Sequence, residues 1–293
     1  MAFVSPQQWY ETARWTRWHG HDIPMVVADN PGKPRLLLIH GFPTASWDWF
    51  KIWPLLQSQF SLLSFDMIGF GWADKPVNYE YSIQDQAHLA EAVVREAGWD
   101  HCHILAHDYG DSVAQELLAR QIEQTLSFRI DKCTLLNGGI IPGVHRPTLT
   151  QKLLMTPLGP WISKRLTAAK VDRIFKKIFA DKKPPSDEEL AAVWQLIEHN
   201  GGRAVAHKVI RYMAERVTFR DRWVGALNTP ATPLLLIDGM EDPISGAHLV
   251  EAYRQLVRQP NIVELQGVGH YPQLEAPQAT AQAVSQFMAE RAS

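Results

Sequence analysis

Short, largely apolar runs punctuate this chain at Arg35–Ile39, Ser61–Phe65, His101–Ala106, Ile130–Leu136, Pro233–Ile237 and Ile262–Leu265. Runs of that length with little polar alternation suit strands covered on both faces. Between them, apolar residues recur at helical spacing over Ile83–Ala97, which stops at Gly98, over Ser112–Arg120, around Ala247–Val257 and over Gln278–Ala292. Strand and helix in turn predict a parallel sheet with helices on both faces. Arg14–His19 and Pro24–Asp29 read as a hairpin that adds an antiparallel edge. The expected fold is α/β, with a mostly parallel eight-stranded sheet.

The rhythm breaks between about 140 and 226, where helical patterns occur without a convincing strand. Ser186-Asp-Glu-Glu189 is a capping box that opens a helix through His199, and Pro184-Pro185 and Gly201-Gly202 punctuate the segment. Residues 140–226 are therefore expected to form a helical cap inserted after the sixth strand. Residues 1–139 and 227–293 would form the core domain.

Composition narrows the class. A chain of 293 residues with 46% hydrophobic content can fill one large core with an insertion. A net charge of −2 gives no global field for nucleic acid. The two cysteines, Cys102 and Cys133, lie in strand-like runs and read as buried thiols without a disulfide framework. Neither a signal peptide nor a membrane span is evident, so a cytoplasmic protein is expected.

Chemistry concentrates where strands end. Ala106-His-Asp108-Tyr-Gly110 follows one strand and precedes a helix, the setting of a nucleophile elbow with a carboxylate at its centre. A carboxylate is already nucleophilic near neutral pH and can displace a leaving group from carbon to form an ester on itself. The plainer alternative is an Asp that caps the following helix. Asp242 follows the Pro233–Ile237 run and His270 follows Ile262–Leu265. Strand C-termini of a parallel sheet converge on one edge, so Asp108, Asp242 and His270 fall in the order nucleophile, acid, base. His270 would activate water, and Asp242 would orient its ring. The backbone N–H groups of Tyr109 and of Phe42, in His40-Gly-Phe42-Pro43, are the candidate oxyanion hole, with a cis Phe42–Pro43 bond expected.

On these motifs the chain resembles the α/β-hydrolase superfamily, in its epoxide hydrolase and haloalkane dehalogenase branch. The resemblance runs from His40 to Pro277 and is carried by HGFPTASWDW, DMIGFGWADKP, HDYGDSVAQELL, DGMEDP and GVGHYPQLEAP. It implies an Asp nucleophile, no cofactor or metal, and a small apolar or amphipathic substrate with water as co-substrate. Dehalogenases of this branch carry Trp after the nucleophile and Asn or Trp for the halide, where this chain has Tyr109 and Phe42. Epoxide hydrolases carry two cap tyrosines. Tyr212 stands where the second falls, and the first has no counterpart. With Tyr212, Trp47 and His40 are placed near the substrate, although Trp47, like Trp49 and Trp53, also reads as helix packing.

Two signals stay subordinate. His101, His103 and His107 share one strand face but read as packed histidines rather than a metal site. Lys164–Lys183 reads as an amphipathic cap helix with a solvated basic face, docking on an anionic membrane being the sharper alternative. The leading reading is epoxide hydrolysis to a diol through an alkyl-enzyme ester. Dehalogenation, ester or lactone hydrolysis, and a non-catalytic binding scaffold are the alternatives. A homodimer stays open.

Overall fold

The computed structural model describes residues 2–228 and 232–290. The eight strands are β1 Arg14–Trp18, β2 His21–Ala28, β3 Arg35–Ile39, β4 Ser61–Phe65, β5 His101–His107, β6 Arg129–Leu136, β7 Leu234–Gly239 and β8 Ile262–Leu265. They pair in one sheet of order β1-β2-β4-β3-β5-β6-β7-β8. The β1–β2 and β2–β4 pairings are antiparallel, and every pairing from β4 through β3 to β8 is parallel.

Each central strand feeds two cores, because successive side chains point to opposite faces. Leu37, Ile39, Ile104 and Ala106 enter one apolar cluster with the helices Ile83–Glu96 and Tyr109–Ile122. Leu36, Leu38 and Leu105 enter the other, with Trp49, Trp53 and the helix Pro277–Ala289. Cys102 and Cys133 are buried free thiols. Among the described residues no helix is long and apolar enough to cross a membrane.

Several boundaries depart from the sequence reading for a physical reason. β7 runs on through Asp238 and Gly239. The buried Asp238 carboxylate receives an Asn137 amide hydrogen bond, so a polar side chain is accommodated inside the strand. The helix expected from Ser112 begins at Tyr109, directly after Asp108. The closing helix spans Pro277–Ala289, and the expected end at Ala292 lies outside the described residues.

Between β6 and β7 the described residues hold helices and no strand. The Ser186 capping box forms in both directions, Ser186 N–H to Glu189 Oε2 at 2.8 Å and Glu189 N–H to Ser186 Oγ at 3.2 Å. The stretch Lys164–Lys183 is not one helix. Lys164 ends the helix Gly159–Lys164, and a separate helix, Ala168–Ile178, carries the buried face Val171, Phe175 and Ile178. The end of the segment between β6 and β7 is anchored on the helix Tyr109–Ile122. Trp223 Nε1 donates to Glu116 at 2.8 Å, and Gln115 Nε2 donates to the Trp223 carbonyl at 3.1 Å.

Candidate active site

Asp108 stands at the end of β5 as the residue before the helix Tyr109–Ile122, with φ 48° and ψ −102°. A positive φ at a non-glycine residue is strained backbone that only its surroundings can hold. Those surroundings are close. Asp108 N–H donates to the Leu136 carbonyl at 3.1 Å on the neighbouring strand. A Cβ on Gly110 would strike the Ile39 and His40 carbonyls, and one on Gly41 would lie 2.9 Å from the Asp108 Cβ. The Asp108 side chain does not cap its helix. Instead, its Oδ2 receives the Phe42 N–H at 3.1 Å, next to a cis Phe42–Pro43 bond. Tyr109 opens the helix, where backbone N–H groups lack intrahelical acceptors.

Asp242 and His270 meet at the same edge. His270 Nδ1 lies 2.7 Å from Asp242 Oδ2. The other Asp242 oxygen takes the Ile244 N–H at 2.7 Å. Oδ2 also takes Ser245 Oγ at 2.9 Å and Asn137 Nδ2 at 3.0 Å. Burial alone would lift the Asp242 pKa, but the His270 charge and these donors outweigh it and hold the carboxyl below its ordinary value. Burial likewise opposes charge on His270. Asp242, its hydrogen bond and then the charge of Asp108 overcome that, raising the imidazole to about 9.

The His270 backbone is fixed from two sides. Its N–H donates to the Ile178 carbonyl of the inserted segment at 2.8 Å. Glu275 gathers the flanking N–H groups of Gly269 at 2.7 Å and Tyr271 at 2.9 Å.

The inserted segment brings Tyr212 and Arg216 onto the elbow. Tyr212 is buried, with its ring 4.6 Å from that of Tyr109 and the Arg216 guanidinium 4.5 Å from its own centroid. Burial, and next the charge of Asp108, push its phenol up, so it stays protonated. Arg216 Nη2 donates to the Asp108 carbonyl at 3.0 Å and lies 3.8 Å from Oδ1, and Nε donates to Ser112 Oγ at 2.7 Å. His145 sits beside Gly139 and Arg216, held neutral by burial and the guanidinium at a pKa of about 4.

Two expected substrate neighbours are placed otherwise. Both ring nitrogens of His40 serve the backbone, Nδ1 at 2.9 Å from the Gly41 carbonyl and Nε2 accepting Met67 N–H at 3.1 Å. Trp47 is fully buried, donates Nε1 to the Val4 carbonyl at 2.8 Å and stacks on Phe50. Neither therefore has a side-chain nitrogen without a backbone partner.

The three strand histidines also separate. Nδ1 of His101 lies 2.6 Å from Asp131, His103 is edge-on to Phe60, and Nε2 of His107 lies 2.8 Å from the His270 carbonyl. Among the described residues no group of three or more His, Cys, Asp or Glu converges on a metal position.

Nothing in the pattern of the chain singles out Arg216, Asn137 or Ser245. A buried Arg on a helix carries no spacing signal that separates it from a solvated one. Asn137 and Ser245 matter only through contacts across strands.

Residues 36–283 match the alpha/beta hydrolase family. The chain is 36% identical over 293 residues to LipZ of Mycobacterium tuberculosis, covering 99% of this chain and 100% of LipZ. It is 39% identical over 267 residues to the mesoderm-specific transcript protein of Mus musculus, covering 88% of this chain and 79% of that protein. The haloalkane dehalogenase DbeA of Bradyrhizobium elkani superposes with a TM-score of 0.80 over 95% of this chain and 97% of its own, at 23% identity. With an eight-stranded doubly covered sheet and a match over most of its length, the chain belongs to the alpha/beta hydrolase family and is a hydrolase by fold and kinship.

Proposed function

We propose that this hydrolase works through an ester formed on Asp108 and that its substrate is an epoxide opened to a diol. The observation that carries the reading is a carboxylate at a strained elbow, with a buried Asp242–His270 pair at the neighbouring strand ends. Asp108 Oδ2 is occupied by the Phe42 N–H, which leaves Oδ1 as the attacking oxygen. Attack on a ring carbon breaks the C–O bond and leaves an alkoxide. Tyr212 and Arg216 stand over the elbow as the phenol and the cation that would protonate and stabilise it.

Water then attacks the ester carbonyl while His270 takes its proton. Negative charge develops on Oδ2, where the Phe42 N–H already points and where the Tyr109 N–H, at the first position of the helix, would add a second donor. Esterification removes the Asp108 charge, one of the influences that raise His270, so the imidazole loses its proton more readily and more of it is in the neutral form that can accept one from water. In this reading residues 140–226 form a cap over the core of residues 1–139 and 227–293. Phe42 and Tyr109 offer no side-chain N–H to hold a halide, which weighs against dehalogenation.

Single turnover in oxygen-18 water tests the mechanism. Label is expected in Asp108, and Asp108→Ala should abolish turnover while keeping the fold. A product carrying all of the label, with none in Asp108, would mean direct attack by water.

A further inference from the structure

We propose that the outer face of the inserted segment, from Arg146 to Lys183, docks on an anionic lipid surface. The docking goes beyond the hydrolase reading and does not depend on which bond is cleaved. The stretch holds ten lysines and arginines against two aspartates, in a chain whose net charge is −2. Most of these cations are exposed, and none forms an ion pair among the described residues, whereas Arg120 and Arg222, along the helix Tyr109–Ile122, are matched to carboxylates. Unpaired surface cations concentrated on one segment give a field that counterions or an anionic partner must satisfy.

Apolar exposure coincides with that charge. Of the ten exposed large hydrophobic side chains described, five lie between Leu149 and Trp161. Leu149 is 72% exposed, Leu158 64% and Trp161 57%. The Arg165 guanidinium stacks 3.8 Å from the Trp161 ring, pairing the amphipathic indole with a cation as at a membrane interface. A groove lined by Arg146, Leu149, Lys170, Arg173 and Lys177 puts the charge and an exposed apolar side chain on one surface. Thr148, Thr150, Ile174, Ile178 and Ile244 line both this groove and the apolar cavity that reaches Phe42 and His270. The charged groove therefore adjoins the cavity that reaches the elbow, and docking would set that side of the cavity against the lipid.

Charge decides between the occupants. A second copy seated face to face would bring one strongly positive segment against another. A soluble polyanion would meet the cations but have no use for Leu149, Leu158 and Trp161. An anionic bilayer satisfies both, since basic residues near its surface and apolar side chains in its interfacial layer each add to binding.

The test is sedimentation of the full chain with phosphatidylcholine vesicles, with and without a phosphatidylglycerol fraction, at low and high salt. Binding is expected only to the anionic vesicles, weakening as salt rises. The triple variant K170E/R173E/K177E should lower partitioning by roughly a hundredfold. The double variant L158S/W161S should lower it by roughly tenfold while keeping the salt dependence. The double variant K170R/K177R should keep binding intact, because it keeps the charge.

Failure to bind anionic vesicles, or binding that survives charge reversal, would overturn the proposal. Binding that needs the cations but not Leu158 and Trp161 would assign the face to a polyanion instead. A concentration-dependent dimer lost in L158S/W161S, without vesicle binding, would assign it to a second copy. None of these outcomes bears on the Asp108 mechanism, which the oxygen-18 experiment reads separately.

Discussion

At the scale of single residues, the distinctive feature is the company that Asp108 keeps. One carboxylate oxygen is held by the Phe42 N–H, and the backbone carbonyl is held by Arg216. His270→Gln removes the base that the ester needs while leaving the nucleophile in place. A mass increase equal to one substrate should then accumulate on Asp108 and persist, and an unmodified protein after long exposure to a verified substrate would count against the assignment. Tyr212 separates epoxide from halide chemistry. An alkoxide needs a proton, whereas a halide leaves as a stable anion. Tyr212→Phe should slow alkylation by epoxides roughly ten- to a thousandfold, the range of a lost acid or oxyanion donor. Rapid-quench kinetics showing an unchanged alkylation rate would remove Tyr212 from the mechanism and leave Arg216 as the group over the leaving oxygen.

At the scale of elements, the site is a junction of strand ends stitched by side chains that belong to neither partner strand's apolar pattern. Asn137, just past β6, donates to Asp242 at 3.0 Å and accepts the Gly239 N–H at 2.8 Å, tying β6 to β7 at the acid. The turn from β5 into its helix depends on the missing side chain at Gly110, whose Cβ would collide with backbone rather than with a movable side chain. Gly110→Ala should therefore cost about 1–3 kcal/mol, the usual range for overpacking, and should reduce ester formation along with it. Urea unfolding that shows wild-type stability would mean the strand and helix can separate without loss.

At the scale of the whole molecule, the buried pair links stability to pH. His270 is raised from 6.5 to about 9, so its contribution is fully present below 6.5 and fades as pH climbs through 9. That shift corresponds to something on the order of 3 kcal/mol. Asp242 is lowered, so its contribution is present above the usual carboxylate range and is lost as pH falls through its folded value. Thermal unfolding from pH 6 to pH 10 should show a fall in Tm for the wild type that His270→Gln lacks. Parallel curves for the two proteins would place His270's stabilising charge elsewhere.

The alternation of strand and helix, the strandless insertion and the order Asp108, Asp242, His270 are all legible in the chain before it folds. Each rests on local signals, namely periodicity, turn residues and position after an apolar run. The Ser186 capping box is legible for the same reason, since both of its hydrogen bonds lie within one turn. The folded molecule supplies what depends on long-range contact. It placed Arg216 over the elbow and Asn137 between two strands, and it spent the polar atoms of His40 and Trp47 on backbone groups. It also split the basic stretch into separate helices and carried β7 through Asp238. Residue type and spacing record which side chains can do chemistry. Which of them remain free to do it depends on partners distant in sequence, and those are fixed only when the sheet and the inserted segment close on each other.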